Sequence, residues 1–216
     1  MAIGDHILRS GTGRALHNGQ DCPKIHPMSS PTKRPDAETR RAQLLDAADA
    51  VFTAHGVNAP LELVVEHAGV GRATLYRQFS DRHAILQALL ERSSERLYAK
   101  AQSLSAQPDA FFVLLEHLAE RIVRSPALSD YWRTTGLNDP RFTQARQRVI
   151  ESFAPALLQA QAHGLVRAEV QPQDIALFSG MLGAALRGNT DADRRRLANQ
   201  ALGLLRRGLR PDPAHD

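Results

Sequence analysis

From Asp36 onward, apolar residues return along the chain with a period near 3.6. Leu44, Ala48, Val51 and Phe52 fall at i, i+4, i+7 and i+8, and Gly56 follows His55, so the spacing predicts a first helix that stops there. A second, short helix is expected from Pro60, whose fixed φ suits a first helical position, through Leu61, Leu63, Val64 and Val65 to about His67. Ala68-Gly69-Val70 then reads as a sharp turn: Gly69 can take the left-handed conformation, and Val70 can drop its side chain into the angle between two helices. A third helix, Gly71 to Phe79, puts Leu75 and Phe79 on one face and leaves Ala73, Thr74, Tyr76 and Arg77 on the others. Ser80 and Asp81 offer an N-cap to a long fourth helix with Ile85, Leu86, Leu89, Leu90 and Leu97 as its apolar stripe.

The helical pattern continues past Pro108. Phe111, Leu115, Leu118 and Ile122 mark a fifth helix, and Leu128 to Thr135 a short sixth. A seventh carries Phe142, Ala145, Val149, Phe153 and Ala156 to a stop at Gly164, and Pro155 within it is expected to kink or split it because proline lacks the amide donor. An eighth helix opens at Pro172 with Asp174 in its first turn and runs through the small-residue stretch Ser179 to Gly188. A ninth opens near Thr190 with Asp191 and Asp193 and ends in Arg206, Arg207 and Arg210; acids at the start and bases at the end suit the helix dipole. No strand pattern and no internal repeat interrupts this. The expected fold class is all-α, with about nine helices.

Residues 1–35 differ: Gly, Ser, Pro, His and isolated charges follow no period and are expected to form a disordered arm. Met28 opens a short polar basic stretch directly before the first periodic segment, which leaves open whether residues 1–27 belong to the native protein. The single cysteine, Cys22, falls in this arm, so an intrachain disulfide or a cysteine zinc site is excluded, as suits a reducing cytoplasm. Apolar runs of a few residues fall far short of the roughly 20 that span a bilayer. No membrane role and a cytoplasmic location are expected.

Charge adds a local signal only. The formal net charge is +4, yet residues 28–96 hold nine Lys plus Arg against nine Asp plus Glu. Between His67 and Ser80 there is no carboxylate, while Arg72 and Arg77 lie within it, Arg82 follows, and Lys33, Arg34, Arg40 and Arg41 cluster upstream. A short helix, a glycine turn and a second short helix with an acid-free, arginine-bearing face fit a helix-turn-helix, whose second helix enters the major groove while its neighbours grip phosphates. Arginine can chelate a guanine edge with two parallel hydrogen bonds, threonine can meet a base, and a tyrosine hydroxyl can hold a phosphate.

Thr39-Arg40 leading into Leu44, Ala48, Phe52 and Gly56, followed by Ala68-Gly69-Val70-Gly71-Arg72-Ala73-Thr74-Leu75-Tyr76-Arg77-Gln78-Phe79-Ser80-Asp81-Arg82, resembles the signature of the TetR family of transcription regulators. The resemblance is close from about Thr39 to Leu90; beyond it, Gly164-Leu165-Val166-Arg167-Ala168-Glu169 and Asp174 resemble one common type of C-terminal sensing domain in that family. Three positions depart from the usual pattern. Ala59 stands where a hydroxyl N-cap is usual, Gly71 where serine commonly opens the recognition helix, and Arg82 where lysine is frequent.

After the aperiodic arm at 1–35, the resemblance implies a three-helix helix-turn-helix DNA-binding domain at 36–82 and a helical effector-binding and dimerisation domain at 83–210. It implies that Arg72, Ala73, Thr74 and Arg77 face bases, that Tyr76 and Gln78 hold phosphates or groove edges, and that Arg82 reaches the backbone, with Arg40 joining the basic set. Taken singly, Tyr76 reads equally as a half-buried surface tyrosine, and Thr74 as a residue bonded to its own helix. Phe111, Leu115, His117, Arg121, Tyr131, Trp132 and Phe142 are candidates to line an effector cavity, against the plainer alternative that the apolar ones are core. Gly180, Gly183, Ala184 and Leu204 are candidates for a homodimer interface made by the last two helices, against intrachain packing.

The function expected from this is a regulator, in the first instance a repressor, that leaves its operator DNA when a mostly apolar small molecule binds between helices four to seven. A TetR-like activator or a regulator answering to a protein partner is the alternative. An enzyme or a scaffold is remote: no nucleophile elbow, phosphate loop, paired-carboxylate signature or metal-spaced histidine pair appears, and no cofactor is implied.

Overall fold

The computed structural model describes residues 37–135 and 139–211; the expected arm of residues 1–35, with Cys22, Lys33 and Arg34, lies outside them. The described residues form nine α-helices: α1 Ala37–His55, α2 Leu61–Ala68, α3 Arg72–Gln78, α4 Arg82–Ser103, α5 Ala110–Arg124, α6 Pro126–Thr135, α7 Thr143–Ala162, α8 Ile175–Leu182 and α9 Asp191–Leu209. Short 3₁₀ turns occupy Pro140–Phe142, Pro172–Asp174 and Gly183–Arg187.

Two apolar clusters hold these helices. The first gathers Leu44, Ala48, Phe52, Val64, Leu75 and Phe79 around the N-terminal part of α4, which contributes Ile85, Leu86, Leu89 and Leu90. The second gathers α5, α7, α8 and α9 around Phe111, Leu114, Phe153 and Leu157. α4 belongs to both, because Leu97, farther along the same helix, is fully buried in the second cluster. Its start is fixed as the sequence predicts: the Asp81 carboxylate accepts from the Ala84 amide at 2.9 Å. Arg92 ties α4 back to α1, donating to the Asp46 carboxylate at 2.6 Å and to the Leu45 carbonyl at 3.1 Å.

The first cluster also recruits Leu128 of α6, Phe142 of the following 3₁₀ turn and Ala145 of α7, with Tyr131 packed against it. Tyr131 meets Phe142 edge to face, and its hydroxyl lies 3.0 Å from Nδ1 of His83 near the start of α4. α6 therefore adds to the core of the small N-terminal bundle and braces it.

Two expected helices differ in the structure. α7 runs unbroken through Pro155 and is not split. Pro155 and Glu151, whose carbonyl loses its amide partner, are both exposed, so solvent can hydrate that carbonyl while Phe153, Ala156 and Leu157 hold the opposite face in the core. The expected eighth helix is composite. It begins as a 3₁₀ turn at Pro172–Asp174, is α-helical only from Ile175 to Leu182, and tightens again to 3₁₀ from Gly183 to Arg187. The tightening keeps Gly183 and Ala185 inside and leads the chain to Gly188, where a Cβ would sit 2.6 Å from the Arg194 backbone nitrogen. A smaller correction concerns Pro60, which occupies the N-cap position of α2 and not its first helical residue.

Among the described residues, no helix is long and apolar enough to cross a membrane, and no group of three or more His, Cys, Asp or Glu could hold a metal.

Phe153 is fully buried and meets Phe111 edge to face at 5.9 Å between ring centroids. Phe153→Ala should therefore destabilise the fold by about 3 to 5 kcal/mol, read from the midpoint of chemical denaturation.

Candidate nucleic-acid interface

The turn between α2 and α3 is a backbone device. Gly69 takes φ +63°. Its amide donates to the Glu66 carbonyl at 3.1 Å, and the Val70 amide donates to the Val65 carbonyl at 3.2 Å, which stops α2 and swings the chain into α3. α3 is anchored from below by Leu75 and Phe79, both buried. Arg41 of α1 completes the anchorage: it donates to the Gln78 carbonyl at 3.2 Å and places its guanidinium 4.4 Å from the centre of the Phe79 ring. A basic residue in the upstream cluster thus serves to position α3, a role that its place in the sequence does not reveal.

The outer face of α3 presents Arg72, Ala73, Tyr76 and Arg77 to solvent, with Thr74 and Gln78 half-buried at its edges. Tyr76 is 53% exposed. Arg77 reaches toward the Thr74 hydroxyl at 3.5 Å, and Arg72 pairs with Glu62 of α2 at 3.3 Å. Both partners of that pair are exposed, so it is worth only about 0.2 to 1 kcal/mol. A bidentate contact to a guanine edge is worth about 1 to 3 kcal/mol, enough to draw Arg72 off Glu62.

Arg82 points elsewhere. Its Nη1 donates to the carbonyls of Val57 at 2.7 Å and Ala59 at 2.6 Å, and its guanidinium lies 5.7 Å from the Phe52 ring centre. These bonds fasten the start of α4 to the loop before α2, a helix with no side-chain cap of its own, in the DNA-free chain. Arg40 is half-buried on α1.

In the C-terminal half, a cavity of about 450 Å³ opens between α5, α6, α7 and α8. Of the cavity candidates from the sequence, Arg121 and Trp132 line it. Phe111 and Phe142 are instead closed into the two cores, and Tyr131 packs against the first of these. Leu115 borders a hollow between α5 and α9, and His117 another of about 510 Å³ beside Lys100 and Glu116. Their side chains alternate around α5 in a way that only its docking angle decides. Residues the sequence did not single out, Arg133, Arg146 and Ile150 among them, complete the cavity wall.

The outer side of α8 carries exposed Leu177 and Met181, with Gly180 and Ala184 exposed beside them, and α9 exposes Leu204. Gly183 is different: it is buried, and a Cβ there would lie 3.3 Å from the Cδ of Arg133 in the same chain. It belongs to intrachain packing.

Residues 44–89 match the family model for bacterial regulatory proteins of the tetR family, and residues 107–211 match that for the C-terminal domain of SbtR-like transcriptional regulators. The HTH-type transcriptional activator FasR of Mycolicibacterium smegmatis is 33% identical over 92 residues, 37% of this chain and 42% of the relative. The HTH-type regulator Rv1255c of Mycobacterium tuberculosis is 28% identical over 121 residues, 54% of this chain and 60% of the relative. The matched part thus spans less than two thirds of either relative's length. Among solved structures, a TetR regulatory protein of Mycobacterium vanbaalenii aligns with a TM-score of 0.60 at 26% identity, covering 82% of this chain and 98% of that one. SCO0520 of Streptomyces coelicolor aligns with a TM-score of 0.61 at 27% identity, covering 79% and 98%.

Glu62→Gln should release Arg72 and remove a charge that phosphates repel. It should tighten binding to duplex DNA by up to about fivefold, measured by fluorescence anisotropy at low salt; unchanged or weaker binding would show that Glu62 does not restrain Arg72.

Proposed function

The chain belongs to the TetR family and is a DNA-binding transcriptional regulator, and from that premise we propose that it is a homodimeric repressor which a small molecule releases from a palindromic operator in the cytoplasm. The observation that carries the reading is the outer face of α3. Arg72, Thr74, Tyr76 and Arg77 crowd an acid-free surface on a helix whose own core contacts are few, so the face is built for an external partner of negative charge. In this reading Arg72, Ala73, Thr74 and Arg77 meet base edges, while Arg40, Tyr76 and Gln78 meet the sugar-phosphate backbone. Arg82 holds α4 in place through Nη1, and its remaining donors are the ones proposed to reach the DNA backbone.

A dimer follows from geometry as much as from charge. One α3 covers too little DNA for tight specific binding, and two must sit roughly 34 to 36 Å apart to enter successive major grooves. The exposed apolar side chains Leu177, Met181 and Leu204, with Gly180 and Ala184 allowing close approach, make α8 and α9 the proposed seam. Repression needs nothing beyond occupancy of the operator, whereas activation needs a further surface for the transcription machinery. The activator reading rests on the name of the M. smegmatis relative.

Release is proposed to run through α6 and α4. α6 sets Trp132, Ser129 and Arg133 against the cavity while Leu128 and Tyr131 pack into the core beneath α3. A ligand that shifts α6 therefore shifts the core that positions the reading helix. Coupling of about 1 to 3 kcal/mol corresponds to a 5- to 150-fold loss of operator affinity, and the operator must weaken the ligand by the same factor.

The direct test is recovery of bound duplexes from a random pool. The selected sites should contain two inverted half-sites, binding should weaken steeply as salt rises, and Arg77→Ala should blur the preference at particular base pairs. Recovery of no enriched sequence would overturn the reading. In run-off transcription from a promoter containing the selected site, repression is expected, and stimulation would favour the activator.

Leu177→Glu should place a charge in the seam and convert a dimer to a monomer at micromolar concentration in light scattering. A mutant that remains dimeric would remove α8 from the interface.

A further inference from the structure

We propose that the cavity beside Trp132 selects an amphipathic carboxylate, a monoanionic acid with a compact apolar body, whose carboxylate is bound by the Arg121 guanidinium. The inference deepens the effector reading above, and it depends on that reading only for its regulatory consequence.

The cavity wall carries three arginines, Arg121, Arg133 and Arg146, and no aspartate, glutamate, lysine or histidine. Such a wall concentrates positive potential in a partly open cleft. The rest of it is largely apolar, with Leu118, Ile122, Val149, Ile150, Ile175 and Leu186 facing the space. Its volume of about 450 Å³ suits a small molecule. A mostly apolar occupant, the expectation from sequence, fits this wall best if it also carries an anionic group to replace the water that these charges lose.

Arg121 is the decisive group. It donates to the Ser93 carbonyl at 3.0 Å and lies 5.9 Å from the Trp132 ring centre, and among the described residues it forms no ion pair. A guanidinium has five N–H donors in a planar fork, and among the described residues the Ser93 carbonyl is the acceptor that this one meets. Burial lowers its pKa to about 10, with Asp49 acting in the opposite direction from beyond ion-pair range. It therefore stays protonated at neutral pH, a half-buried cation in the cavity wall. A carboxylate can take two of its N–H donors side by side. Arg133, held by Asp130 at 2.7 Å and exposed, stands at the rim, where it can draw the anion inward.

The chain contains one tryptophan, Trp132, which lines this cavity, so its fluorescence can report on an occupant. The full chain is titrated with decanoate, below its micellar concentration, and with decanol and decylamine as neutral and cationic matches. Decanoate should change Trp132 emission saturably and bind at least tenfold more tightly than either match. Arg121→Gln should lose that preference at least tenfold, and Arg133→Gln should reduce it by a smaller factor. Where Arg121→Gln does not fold, the ranking of the three probes on the unaltered protein together with Arg133→Gln decides the matter. Equal or tighter binding of decanol or decylamine would overturn the proposal, as would no response to decanoate. Decanoate binding with operator affinity unchanged would sink the effector reading and leave this inference standing. A neutral or cationic compound that displaces DNA and shifts Trp132 emission, where decanoate does neither, would sink this inference and leave the effector reading.

Discussion

Helix α4 must satisfy two hydrophobic cores at once, and the rest of the molecule is arranged around that demand. Its first three turns bury Ile85, Leu86, Leu89 and Leu90 beneath the helix-turn-helix, and Leu97 enters the core of the C-terminal half. A straight rod shared by two cores cannot tilt in one without disturbing the other. α6 supplies a second link, since its Trp132 touches both clusters. Neither core is large enough to be indifferent to a shift of these helices. That makes the fold suited to carrying a change at a cavity toward a surface that reads DNA.

The arginines divide by role, and the division explains why net charge says little. Arg41, Arg82 and Arg92 are held by backbone carbonyls of neighbouring elements, Gln78, Val57, Ala59 and Leu45, with Arg92 also paired to acids of α1. They brace the frame. Arg72 and Arg77 lie on the exposed face of α3. Arg121 lies inward at a cavity without acids. One residue type thus braces the frame where its fork meets carbonyls, and is proposed to recognise DNA where it faces solvent and ligand where it lines the cavity. An enzyme or scaffold would not require the acid-free outer face of α3, and the family relationship accounts for it directly.

The sequence alone determined the helical fold class, the start of α4 at Asp81, the glycine turn at Gly69 and the solvent-facing side of α3. These follow from local rules: a period of 3.6, a capping carboxylate three residues before an open amide, and a left-handed turn that favours glycine. The tertiary structure alone decided what could not be local. It turned Arg82 inward to carbonyls 23 and 25 residues away and continued α7 through Pro155 on a solvent-facing side. It tightened the chain after Leu182 against Arg133, closed Phe111 and Phe142 into cores, and left Arg121 and Trp132 at the cavity. A helix pattern says which residues share a face, but which neighbour that face meets depends on the crossing of whole helices, and that is fixed only when all the cores pack together.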